Sequence, residues 1–211
     1  MAIAGRAGSP ERLDRAYLGG AVCLVGGAVQ VIYGLLAIPF PYAESSYGWD
    51  EILWAVANVG MIGGVLGLLA LDVARPRAVA QLGGVLAILG NLIRIAVAAL
   101  LIARPSGDYV GPILVSIFLV IIGMATVGLT TLLGHRWRGW RAWTPLLAAG
   151  FTLIPASIYS INLYAHFILL GLWGVAWMFV GYAVLTSGPT VVAPPDRPAM
   201  PEPGRGTGGN R

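Results

Sequence analysis

The chain has 211 residues, is 57% hydrophobic and only 10% charged, and carries a formal net charge of +4. Soluble domains hold about 25% charged residues. This composition, with a mean hydropathy of +0.80, therefore excludes a water-soluble globule and predicts a polytopic membrane protein. All thirteen basic residues are arginine. Most lie in short segments between apolar runs, so the positive charge reads as membrane topology and not as affinity for nucleic acid. The single cysteine, Cys23, excludes an intrachain disulfide, paired-thiol redox chemistry and a cysteine-rich metal site.

Residues 1–16 form a short N-terminal tail with Arg6, Arg12 and Arg15. Within it, Ser9-Pro10-Glu11-Arg12 has the form of a helix start, with Ser9 as N-cap and Pro10 at the first helical position. The apolar run that follows, Tyr17 to Phe40, is longer than the 7–15-residue core of a typical signal peptide. It predicts a retained membrane helix over Tyr17–Ile38, ended by Pro39 and Pro41.

The next loop, Phe40 to Glu51, is acidic and aromatic, as suits an extracytoplasmic face. A second helix is expected over Ile52–Leu71 and a third over Val79–Ala103, joined by the basic turn Asp72-Val-Ala-Arg75-Pro-Arg77. Arg104 to Tyr109 is a turn-rich outer loop. A fourth helix follows over Pro112–Leu133. The most basic loop runs from His135 to Trp143, where arginines alternate with tryptophans. Lipid phosphates and the headgroup region account for that pattern better than a nucleic acid.

A fifth helix is expected over Thr144–Tyr159, kinked at Pro155, and a sixth over Phe167–Thr186. The fold class is thus all-α: a transmembrane bundle of six helices occupying residues 17–187, followed by a Pro/Gly-rich cytoplasmic tail over residues 188–211 whose composition predicts disorder. Eleven arginines fall in the tails and in the second and fourth loops. That bias places both termini on the cytoplasmic side of the plasma membrane.

Shifting the chain on itself by 64 residues aligns Leu18-Gly19-Gly20 with Leu82-Gly83-Gly84, and Gly26 with Gly90. A further 65 residues bring the fifth helix into the same frame, with Pro155 at the Gly26 position. Three two-helix repeats are one reading; shared apolar composition is the other. Under the repeat, Gln30, Arg94 and Tyr159 are equivalent positions.

Arg94 stands inside an apolar run that has no other charged side chain. An arginine at such depth costs roughly 2.5–3.5 kcal/mol on insertion scales, so it is expected to face protein or trapped water. Asn91 shares its helix face. With Asn58, Gln30, Tyr159 and Glu51, the nearest acid, these residues are the candidate ligand-binding set. A guanidinium among amides and phenols suits a small anionic or amphipathic ligand. The structural alternative is a clamp of Arg94 with Asn91, Asn58 and Glu51 that fixes helix packing in a non-catalytic subunit, with a membrane-protein partner or a second copy docking on the loops or tails.

An enzyme is the least supported class. No Gly-x-Ser-x-Gly elbow is present, and a phosphate-binding loop is excluded because the chain lacks lysine. No Asp or Glu falls within an expected span. His135 and His166 are expected on opposite faces and cannot share a metal or a haem. His166 with Tyr159 and Ser160 is the only acid–base grouping, and spacing alone does not make it catalytic. No catalytic residue, metal site or cofactor is assigned.

Overall fold

A computed structural model describes residues 10–37, 48–104, 108–158 and 163–187. It contains six α-helices: α1 (Pro10–Ala37), α2 (Trp49–Leu71), α3 (Arg77–Ala103), α4 (Val110–Gly134), α5 (Thr144–Ile158) and α6 (Leu163–Leu185). A short 3₁₀ turn over Gly139–Trp143, not expected from the sequence, leads into α5. The described part of α1 begins at Pro10 and runs unbroken into the apolar segment; the expected cap, Ser9, lies outside the described residues.

The helices pack in chain order around a closed ring. Each touches the next, α6 returns to α1, and α2 also meets α6 behind α1. The start of α1 lies against the end of α6: a Cβ on Gly20 would come within 3.0 Å of the Gly181 carbonyl and the Val184 and Leu185 side chains. The described chain therefore begins and ends at one end of the bundle. That end also carries Arg75, Arg77, Arg136, Arg138 and Arg141, and we call it the arginine-rich end.

Among the described residues, five helices are long and apolar enough to cross a membrane. The fifth-helix expectation is met only in part. α5 is described over fifteen residues, about 22 Å at 1.5 Å per residue. It continues through Pro155 to Ile158.

The radial distribution of side chains is that of a bundle in lipid. Large apolar residues such as Leu18, Leu35, Leu82, Phe118, Leu129 and Phe179 are exposed, whereas Gln30, Asn58, Asn91, Arg94, Ser116 and Thr131 are buried. In water this arrangement would leave broad apolar patches uncovered. With the five apolar spans, it identifies an integral, multi-pass membrane protein.

Glycine sets the spacing. Without a hydrophobic drive between helices in lipid, association rests on close van der Waals contact, which small residues permit. α1 carries two glycine rows seven residues apart along the chain. Gly19 and Gly26 meet Gly63, Gly67 and Gly60 of α2; Gly20, Gly27 and Gly34 meet Gly181, Gly174 and Gly171 of α6. A Cβ on Gly27 would sit 2.7 Å from Met178 and 2.8 Å from the Gly174 carbonyl.

α3 repeats the pattern. Gly83 and Gly90 face α4, while Gly84 faces Leu69 of α2. Positions equivalent under the 64-residue shift thus make equivalent contacts in the first two hairpins: one row to the hairpin's own partner, the other to the even helix of the preceding hairpin. Gly63-x-x-x-Gly67 is a packing surface against α1. Gly123 and Gly128 serve two different neighbours, α3 and Leu146 of α5.

At the arginine-rich end the α2–α3 turn is tied to α4. Asp72, in the left-handed conformation that closes α2, has carboxylate oxygens 2.9 Å from Arg75, 3.6 Å from Arg77 and 3.8 Å from Arg136. Arg136 also donates to the Asp72 carbonyl at 3.0 Å, and the Arg75 N–H donates to the Thr130 carbonyl at 2.7 Å.

Candidate functional site

Away from the arginine-rich end, every helix turns one polar group inward at a similar depth. These are Gln30 of α1, Asn58 of α2, Arg94 of α3, Ser116 of α4, Thr152 of α5 and the Trp173 indole of α6. All are buried. Each lies six to ten residues inside the arginine-poor end of its helix, about 9–15 Å along the axis. Asn91, one turn deeper on α3, is also buried.

Arg94 organises the layer. It is only 4% exposed. Its Nε donates to Ser116 Oγ at 3.1 Å, and the Ser116 hydroxyl in turn donates to the Ile113 carbonyl at 2.6 Å. Its guanidinium carbon lies 4.8 Å from the centroid of the Trp173 ring. A hydrogen bond to a charged group contributes about 1.5–3 kcal/mol, and a desolvated cation–π contact about 2 kcal/mol. Together these are enough to offset the roughly 2.5–3.5 kcal/mol that an arginine costs at the centre of a span. α3 is thereby fastened to α4 and α6 at once. The terminal guanidinium nitrogens make no hydrogen bond among the described residues.

The amides behave alike. Asn58 Nδ2 donates to the Trp54 carbonyl and Asn91 Nδ2 to the Ala87 carbonyl, each at 2.7 Å and each one turn back on its own helix. Their Oδ1 atoms are buried without a donor, and both amide atoms of Gln30 and the indole nitrogens of Trp173 and Trp177 likewise have no partner among the described residues. Gln30 belongs to the α1–α6 seam, since a Cβ on Gly174, next to Trp173, would approach the Gln30 Cβ to 2.9 Å. Native interiors leave few buried polar groups unpaired. Several within neighbouring turns of the bundle form a set that needs an explanation.

Of the candidate set, Arg94, Asn91, Asn58 and Gln30 all face the interior. Tyr159 lies outside the described residues. Glu51 is in the first turn of α2, seven residues from Asn58, about 10 Å along the axis. Arg94 forms no ion pair with it among the described residues, so the clamp through Glu51 is replaced by Ser116 and Trp173. Asp50 and Glu51 instead stand where the α2 dipole favours negative charge.

Two partners were missed from the sequence. Ser116 is a common residue in such helices, and Trp173 reads with Trp177 as an apolar stripe four residues apart. The one available signal was depth, because both fall in the layer of Arg94 when positions are counted from the helix ends.

His135 caps α4 at the arginine-rich end and His166 lies near the start of α6 at the other. Among the described residues no group of three or more His, Cys, Asp or Glu is placed to hold a metal ion. Comparison with protein-family models, with curated proteins and with solved structures found no match.

Proposed function

We propose that this protein binds, and as a transporter would move, a small anionic or amphipathic ligand whose anionic group is held by Arg94 inside the bundle. One observation carries the reading. Among the described residues, a buried guanidinium without a carboxylate partner shares its part of the bundle with buried polar atoms that lack partners of their own. A ligand carboxylate or phosphate would neutralise Arg94 and accept from its terminal nitrogens and from the Trp173 indole, in the bidentate manner arginine favours. The apolar residues beneath the layer, Met61, Val120, Met124 and Trp177, suit an apolar body. In this reading both termini face the cytoplasm and the site opens toward the opposite side; reporter fusions at the two ends, reading the same side, check the orientation.

The test is a thermal-shift screen of the purified protein against carboxylates, phosphate monoesters and lysolipids, repeated on Arg94→Ala and Asn91→Ala. Hits that stabilise the native chain and lose their effect in both variants support the site. Hits whose shift survives both variants rule it out.

The Arg94–Ser116–Trp173 contact favours a second reading, in which the layer is a structural clamp and the protein is a non-catalytic subunit. That reading predicts partners on co-purification and cross-linking. A chain that purifies alone, stable and monodisperse, counts against it.

A further inference from the structure

We infer that the anion recognised at this layer carries a hydrogen-bond donor on the same headgroup. The ligand class is then a hydroxy- or amino-acid, or a phosphate headgroup bearing an N–H or O–H, and not a plain fatty acid. The inference rests on the anion-binding reading of Arg94 and adds a second pole to it.

The second pole is made of acceptors. Asn58 and Asn91 each commit their N–H to the carbonyl one turn back on their own helix. That fixes the amide plane and leaves Oδ1 without a donor, and one N–H of Nδ2 uncommitted, among the described residues. Among the described residues both Oδ1 atoms are buried without a donor, and both amide atoms of Gln30, Oε1 and Nε2, lack a partner; all three residues are fully buried. A ligand offering only an anion would satisfy Arg94 but leave these oxygens unmet. A ligand that adds an N–H or O–H satisfies both sides.

The spacing limits where that donor sits. Asn91 lies three residues from Arg94 on the same helix, about 4.5 Å along the axis and on the same face. This matches a donor three or four bonds from the carbon or phosphorus of the anionic group. The positive pole is on α3 and α6, through Arg94 and Trp173; the acceptor pole is on α2 and α3, through Asn58 and Asn91. The site therefore distinguishes the two ends of a polar headgroup.

Matched pairs test this on the full-length protein in detergent. One soluble pair is 3-hydroxybutyrate against butyrate. One lipid pair is a short-chain diacyl phosphatidylethanolamine against the matching diacyl phosphatidylcholine, whose quaternary ammonium has no N–H and whose glycerol has no free hydroxyl. In at least one pair the donor-bearing member should bind roughly three- to tenfold tighter, the worth of one satisfied hydrogen bond. Which pair responds tells a small acid from a lipid headgroup. Asn58→Leu and Asn91→Leu should level the responding pair while leaving residual anion binding, and Arg94→Gln should abolish binding of both members. Equal affinities within both pairs, with binding still lost in Arg94→Gln, overturn the donor requirement and leave the anion site standing. No binding by any member, or binding indifferent to Arg94→Gln, overturns both. If a leucine variant does not fold, the pairs measured on the native chain decide alone.

Discussion

Arg94 lies against the face of Trp173, 4.8 Å from its centroid, and through that contact joins the third helix to the sixth across the bundle. The two residues are far apart in sequence and close in depth. Arg94 forms no ion pair among the described residues. The pairing places a positive charge in the interior with a π-face on one side and a hydroxyl on another, and leaves part of the guanidinium available.

Replacing the ring tests the contact. Trp173→Phe keeps an aromatic face and is expected to cost about 1 kcal/mol, whereas Trp173→Leu removes the face and is expected to cost about 3 kcal/mol. Thermal unfolding of the two variants in the same detergent measures the difference. A leucine variant as stable as the phenylalanine variant would mean that the ring only fills space.

Gln30 separates a ligand role from a packing role. Both of its amide atoms are buried without partners among the described residues, and an unmet buried polar group costs about 1–3 kcal/mol. Gln30→Met, of similar shape, is therefore expected to raise the unfolding temperature of the ligand-free protein while weakening any ligand found. Stability gained at the expense of binding is the usual signature of a functional site. A fall in unfolding temperature would show that the amide holds the helices together.

The glycine rows predict a position-dependent response. Gly27→Val should destabilise strongly, because α1 and α6 would have to separate around the Gly174 carbonyl. Gly150→Ala should be neutral or stabilise by up to about 1 kcal/mol through helix propensity, since nothing lies within 4 Å of a Cβ there. Circular dichroism melts of the two variants check this.

Asp72 is expected to matter moderately and in a salt-dependent way. Its three arginine partners have side chains 41–48% exposed, so solvent screening limits each pair to well under 1 kcal/mol. Asp72→Asn should lower stability by about 1 kcal/mol at low salt. Raising the salt should destabilise the native chain toward the variant and leave the variant nearly unchanged.

Much of the architecture was legible because membrane helices announce themselves by length and hydropathy. Arg94 was legible for the same reason: a charge inside an apolar run has few explanations. The depth of Gln30, Asn58 and Asn91 could be counted from the helix ends. What the sequence withheld was adjacency. Periodicity tells which face of α3 Arg94 is on, but not that α6 stands opposite, so Glu51 looked like the natural partner and Trp173 looked like filler. The Asp72–Arg136 tie was hidden likewise, since each residue reads locally as part of its own turn. The two glycine rows of α1 were present as a seven-residue spacing, but only the closed ring gives each row its own neighbour.

The most direct test of the account is equilibrium binding of radiolabelled small carboxylates and phosphate monoesters to the purified native chain and to Arg94→Gln, with stoichiometry determined. The account predicts one anion per chain for at least one compound, with affinity reduced at least tenfold in the variant. Binding that the variant retains in full, or a native chain that takes up none of the compounds, would contradict it.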